Sequence, residues 1–524
     1  MHEIELALGL LVAVAALATL ARRMGVPYPI VLVLGGLALG LVPGLPSIEL
    51  DPEIVFLIFL PPLLYQAAVF TSLRDFKANL QPIALLSVGL VVFTTLVVGV
   101  VAHLAIEGLP WAAAFALGAI VAPPDAVAAT AIVQRLGVPR RIVTILEGES
   151  LVNDATALVA YRFAVAAAVT GAFSIWEAGI GFVVVALGGI AIGLAAGWLV
   201  SQLRRRLDDP PVEITISILT PFAAYLPAEA LHVSGVLAAV SCGLYVGWHL
   251  PHLTTSEMRI QAQAVWRMLV FLLNGFIFIL IGLQLPSIVS ELTQPLPTLL
   301  WYAGLVSLTV ILARIVWVFA ATYVPHGLNH DTHDGHTHPG WQNVSIVAWT
   351  GMRGVVSLAA ALALPFSTLS GEPFPGRQMI LFLTFTVILA TLVLQGLCLP
   401  PIIRWLGVAS DGSHEREEVR ARAEATEAAL ERIRELAAEW PSHRELVDQL
   451  ESQYQHRERH APSAEAERTE EEDQELHEHR HIRQAVLDAE REALLELRGR
   501  GVISDEVLHR VERDLDLDEL RLEA

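Results

Sequence analysis

Cysteine is scarce in this chain: 524 residues hold two, Cys242 and Cys398, both inside apolar runs, so no disulfide framework is indicated. Charge is scarce too, until the end. Of 54 acids and 34 Lys/Arg, 33 acids and 17 basic residues fall in residues 411–524, which leaves 21 and 17 for everything before them. The acidity therefore belongs to the tail and does not describe a substrate. No glycine-rich loop closing on Lys-Ser or Lys-Thr occurs, so the commonest nucleotide cradle is missing and no nucleotide-driven step is expected. The apolar run 4–21 has no basic segment before it and no small-residue cleavage site after it. It is expected to be a first spanning helix, not a removable signal.

What is present in abundance is apolar sequence of membrane length, with hydrophobic residues making up 54% of the chain. Stretches of about 20 apolar residues between polar or Pro/Gly breaks predict about thirteen spans. They lie near 3–21, 28–42, 52–70, 80–104, 111–134, 139–170, 176–203, 211–227, 233–250, 262–285, 297–323, 343–365 and 378–406. Basic residues gather in alternate connections: Arg22 and Arg23, Arg74 and Lys77, Arg135, Arg140 and Arg141, Arg204, Arg205 and Arg206, Arg259, and Arg404. The positive-inside rule makes that side cytoplasmic, with the N-terminus outside, the tail inside and the cell membrane as location. The expected fold is an all-α polytopic membrane protein of two inverted six-helix repeats around one connecting helix. The expected domains are a transmembrane part, 1–408, and an acidic helical tail, 409–524.

Chemistry concentrates where charge enters these spans. Span five is broken by Ala122-Pro123-Pro124-Asp125 and span twelve by Thr350-Gly351-Met352-Arg353-Gly354, at corresponding places in the two halves. Proline removes a backbone donor and glycine permits non-helical angles, so both segments are expected to unwind and cross at mid-membrane depth. Span six carries Glu147-Gly148-Glu149-Ser150-Leu151-Val152-Asn153-Asp154. Ser150, Asn153 and Asp154 are spaced i, i+3, i+4, on one helical face. Ionised groups at that depth cost roughly 2.5–3.5 kcal/mol on the mildest scale and are kept mainly for ions, protons or pairing. Hydroxyl, amide and carboxylate oxygens are the hard donors that a small alkali cation or a proton accepts. Glu149 is the expected partner of Arg353, leaving Asp154 and Asp125 to face the pathway.

At this point the chain resembles the bacterial Na+/H+ exchanger type of monovalent cation/proton antiporter. The resemblance rests on five motifs in order: F-L-P-P-L-L-Y-Q-A-A at 59–68, P-P-D-A-V-A-A at 123–129, G-E-S-L-V-N-D at 148–154, W-T-G-M-R-G-V-V-S-L at 349–358 and L-V-L-Q-G-L-C-L-P-P-I-I-R-W-L-G at 392–407. It implies a homodimer with a dimerisation part and a moving core. It also implies that Asp154 carries the ion or proton, Asp125 assists at the crossing, Ser150 is a ligand and Asn153 orients the site. The residue matching Pro124 offers its backbone carbonyl. The Asn-Asp order is associated with electroneutral exchange, and Glu149 with Arg353 matches a structural ion pair. Gln66 stands where some relatives have an acid, so it brings no second salt bridge.

The function expected is electroneutral exchange of Na+ for H+, by competition at Asp154 with alternating access and no cofactor. K+ or Li+ in place of Na+ is the nearest alternative, and a tail-regulated cation channel is one of a different class. An intramembrane aspartyl protease is disfavoured because neither aspartate follows Gly-x-Gly. No nucleic-acid partner is expected; the partners are the ions, the bilayer and a second copy. His330, His333, His336 and His338 form a His/Asp loop that reads as a solvated linker, with metal binding or pH sensing as its alternative.

Overall fold

The computed structural model describes residues 2–42, 55–171, 175–207, 209–290, 292, 294–328, 340–369, 371–408, 412–440, 443–459 and parts of 484–515. The chain divides into two compact units, Met1–Ser410 and Asp411–Ala524. The regular structure described in the first unit is helical, apart from one isolated bridge between Ser367 and Pro373.

Its helices in chain order are α1 (His2–Met24), α2 (Tyr28–Gly40), α3 (Leu60–Phe70), the short α4 (Leu73–Ala78), α5 (Leu80–Ala105), α6 (Trp111–Val121), α7 (Ala126–Arg135), α8 (Arg140–Thr170), α9 (Ile175–Arg204), α10 (Pro210–Ala230), α11 (Gly235–Leu253), α12 (Ser256–Ser290), α13 (Leu296–Leu328), α14 (Trp341–Trp349), α15 (Val355–Leu362) and α16 (Arg377–Leu406). Eight described helices, α6 and α7 being taken together, are long and apolar enough to cross a membrane. Tyr28–Gly40, Leu57–Phe70 and Gly235–Leu250 are shorter apolar helices. With α1 and the pair α14 and α15, helix occupies every one of the thirteen expected segments.

Local chemistry sets the ends. Prolines at the first positions of α2, α3 and α10 supply the right φ where no donor is needed. Ser72 and Ser234 cap α4 and α11, their hydroxyls accepting from the N–H groups of Asp75 and Leu237 at 3.2 Å each. Gly171, with φ of 73°, ends α8 in the left-handed region. Single π turns at Leu85–Leu90 and Thr391–Gln395 interrupt α5 and α16; nothing in the apolar pattern announces them.

Packing sorts the helices into two bundles. In one, α2 lies along α12, while α11 is held by α3, α9 and α10. The α2–α12 contact is close because both sides use glycine: a Cβ at Gly36 would strike the Ile279 carbonyl, and one at Gly282 the Val33 carbonyl. In the other bundle α6 packs between α5 and α8, with α13, α15 and α16 against the same group. The bundles meet through α12 on α15 and α16, and through α8 on α3 and α11. The tail unit contains α17 (Ser413–Glu439) and α18 (Arg444–Arg459), packed on each other. Their surface pairs, such as Arg422 with Glu418, are exposed helix pairs of small energetic weight.

Candidate ion-binding site

The two broken spans touch at their breaks. Residues 122–125 separate α6 from α7, residues 350–354 separate α14 from α15, and the Asp125 N–H donates to the Met352 carbonyl at 2.7 Å. Four helix ends therefore converge. The Asp125 carboxylate caps α7, its Oδ1 accepting from the Val127 N–H at 2.9 Å, and it also accepts from the backbone of Val355, the first residue of α15. One acid thus faces two positive helix ends. A Cβ at Gly354 would collide with Asp125 Oδ2, so only glycine lets the carboxylate in.

Arg353 is the complement. Its guanidinium is fully buried and donates to the Val121 carbonyl at 3.0 Å, the Ala122 carbonyl at 3.4 Å and the Gly351 carbonyl. Those carbonyls close α6 and α14, the negative ends of the same two broken spans. The Arg353 N–H is bound by Thr391 Oγ1 at 3.1 Å, within the π turn of α16.

The expected partnership of Glu149 with Arg353 is replaced by another. Glu149, 1% exposed, is held by both terminal nitrogens of Arg314, at 2.5 and 2.9 Å. Arg314 lies on α13, is itself fully buried, and also donates to the Val347 carbonyl on α14 from Nε at 3.2 Å and Nη2 at 3.0 Å. The reason is geometric: Arg353 is consumed by backbone carbonyls at the crossing, whereas Arg314 presents a two-pronged fork that matches a carboxylate. Arg314 is the site residue that sequence reasoning missed, and its signal was plain. It is a lone arginine inside a membrane-length apolar helix.

Helix α8 runs beside the crossing and brings the other expected residues to it. Asn153 Nδ2 donates to the Pro124 carbonyl at 2.9 Å, while its Oδ1, buried, meets no donor among the described residues. Ser150 Oγ accepts from the Ala126 N–H at 3.4 Å. Asp154, 6% exposed, lies close enough to Asp125 for the two charges to interact, and no donor or cation pairs with it among the described residues. Two carboxylates, a hydroxyl, an amide oxygen and a backbone carbonyl are thereby gathered at one unwound crossing, a donor set of hard oxygens only.

Gln66 is placed elsewhere. It lines a separate cavity of about 160 Å³ with Arg204, Ser217, Arg259 and Trp266, between helices of the first bundle. Arg204 there faces Glu213 at 3.5 Å, a second buried ion pair. The histidines at 330, 333, 336 and 338 lie outside the described residues. Among the described residues no His/Cys/Asp/Glu group has the arrangement of a metal centre.

The family model for the transmembrane sodium/hydrogen exchanger matches residues 9–405. The chain belongs to that family. An uncharacterized Na(+)/H(+) exchanger of Mycobacterium tuberculosis is 38% identical over 532 residues, covering 99% of this chain and 97% of its own. A Bacillus subtilis protein named sodium, potassium, lithium and rubidium/H(+) antiporter is 36% identical over 412 residues, 76% of this chain and 61% of that one. The fold is similar to that of the sodium proton antiporter MjNhaP1 of Methanocaldococcus jannaschii, with a TM-score of 0.59 at 21% identity, over 77% of this chain and 99% of that one. Membership makes this protein a multi-pass membrane antiporter of cations and protons, a transporter and not an enzyme. As a sodium/hydrogen exchanger, its broken helices fit the rule that irregular backbone at membrane depth is tolerated where it is buried or lines a cavity.

Proposed function

We propose that this exchanger carries out electroneutral exchange of Na+ for H+ at Asp154. The observation that carries the reading is a buried carboxylate without a donor or cation partner among the described residues, beside a crossing whose own charges are already balanced. Asp125 is matched by helix N-termini and Arg353 by helix C-termini, and Glu149 is matched by Arg314. Asp154 is then the group left to change its charge. Ionised, it holds a partly dehydrated Na+ together with the Ser150 hydroxyl, the Asn153 amide oxygen and the Pro124 carbonyl. Protonated, it is neutral and releases the cation. One negative charge traded between one Na+ and one H+ moves no net charge, and Asn153, being an amide, adds none.

Competition for a single site, followed by movement of the second bundle against the first, gives obligatory exchange with alternating access. The basic connections set the N-terminus outside and the tail unit in the cytoplasm of a cell-membrane protein. The first bundle is the scaffold on which two copies associate. The tail unit, Asp411–Ala524, and the His/Asp loop are peripheral to this chemistry.

A second reading keeps the mechanism and changes the cation. The Bacillus subtilis relative's name includes potassium, lithium and rubidium, and the oxygen donors here suit any alkali ion. The test is proton flux in proteoliposomes carrying a pH dye, with Na+, K+ or Li+ added and the membrane potential clamped. Na+-dependent flux that ignores voltage supports the first reading, and K+-driven flux supports the second. Conductance without counter-transport would replace both with a channel.

A further inference from the structure

Among the described residues, one side-chain contact between the two bundles is anchored on the helix that carries the ion site. Arg162, on α8, donates from Nη2 to both oxygens of Glu229 at the end of α10, at 3.0 and 2.8 Å. Arg162 stands eight residues after Asp154, about 12 Å further along the same helix. Glu229 is a fixed point of the other bundle. Its Oε1 also accepts from the Gly235 N–H at 3.1 Å, where α11 begins. The corner between them is tied down by the Val233 N–H on the Ala228 carbonyl at 3.0 Å and the Ser234 N–H on the Val185 carbonyl of α9 at 3.2 Å. His232 sits in that corner at φ of 57°, the one non-glycine residue with positive φ among the described residues.

The three other ion pairs seen among the described residues of the membrane unit are placed differently. Arg314 and Glu149 belong to the second bundle, Arg204 and Glu213 to the first, and Arg140 pairs with Asp75 at the opposite end of α8. The Arg162 and Glu229 side chains are 45% and 33% exposed, so water competes for them once they part. A contact of 2.8 to 3.0 Å between two bodies that slide past each other exists in one arrangement and not in the other.

From this geometry we infer that Arg162 and Glu229 are positioning residues for exchange. Their contact holds α8 against the α10–α11 corner on the face where α8 ends, and so favours the state in which Asp154 is reached from the opposite face. The inference rests on the alternating-access reading above. It assigns the pair a bias on the equilibrium between the two states and no contact with the ion. A ligand's apparent affinity on each face scales with the population of the state open to that face. Breaking the contact therefore strengthens cation binding on one face and weakens it on the other.

The test uses the full chain in proteoliposomes, with the KM for Na+ measured separately on each face. Arg162→Gln and Glu229→Gln each remove the charge pair, and Glu229→Gln does so without changing size or the oxygen that accepts from the Gly235 N–H. Each is expected to lower KM on the face where α8 ends and to raise it on the other, by about two- to fivefold, the range set by an exposed ion pair. A structural defect would instead depress flux without moving the two KM values in opposite senses. Unchanged KM values on both faces, or shifts of the same sense, would overturn the inference while leaving antiport standing. Absence of any cation-driven proton flux in the unsubstituted protein would remove the antiport reading and this inference with it.

Discussion

The N–H of Asp125 and the carbonyl of Met352 are 2.7 Å apart, so the two unwound segments are joined backbone to backbone. Around that bond the charges are arranged by helix polarity: an acid at the two N-termini and an arginine at the two C-termini. The crossing is self-neutralising, and the ion chemistry is left to α8.

Asp125→Asn keeps a side-chain acceptor for the cap on α7 but gives up the charge that two helix N-termini favour. A surface cap interaction of this kind contributes about 0.3–1 kcal/mol, and up to about 2 in buried geometry. The variant is expected to fold and insert, with Na+ affinity reduced by about three- to thirtyfold. Gly354→Ala is expected to be worse, since its Cβ occupies the space of the carboxylate. Equilibrium Na+ binding to the two purified variants checks the order.

The Glu149 and Arg314 pair should behave as a buried unit. Glu149→Gln or Arg314→Gln alone leaves an uncompensated charge away from water, at a cost of about 3–5 kcal/mol. The double substitution is expected to be less destabilised than either single one. Thermal unfolding in detergent, compared across the four proteins, measures the coupling.

The chain displays the breaks openly, because proline, glycine and charge inside apolar runs have few structural excuses. Asp125 and Arg353 are legible for that reason, and so are the thirteen apolar segments. The partner of Glu149 is not. Arg314 and Arg353 both lie in apolar spans of the second half, and which of them reaches the carboxylate depends on how α13 and α14 pack, which no local pattern records. The surroundings of Gln66 depend on packing in the same way: its motif places it on α3, and the assembled first bundle gives it a cavity to line. The two π turns of α5 and α16 leave hydropathy unchanged and so leave no trace in it.

Asn153→Asp should change the electrical character of exchange. The amide donates to the Pro124 carbonyl at 2.9 Å; a carboxylate there loses the donor and brings a second charge into the cycle. Flux at clamped potentials is expected to become voltage-dependent, with a reduced maximal rate.

Competition at one carboxylate fixes the sign of the pH dependence. Protonation removes the cation's ligand, so the apparent KM for Na+ is expected to rise as pH falls, by about tenfold per unit once the proton form dominates, while the maximal rate at saturating Na+ holds. Flux series at several pH values on the cation-loading face test this. A maximal rate that falls with a constant KM would indicate a proton site separate from the cation site.

The most direct measurement is proton release on Na+ addition to the purified protein in weakly buffered detergent solution, alongside Na+ binding on the same sample. The account predicts that protons released per Na+ bound approach one at pH below the midpoint of the site's titration and fall to about half at that midpoint, with none released in Asp154→Asn, which remains folded. Na+ binding without proton release, or release that persists unchanged in Asp154→Asn, would contradict it.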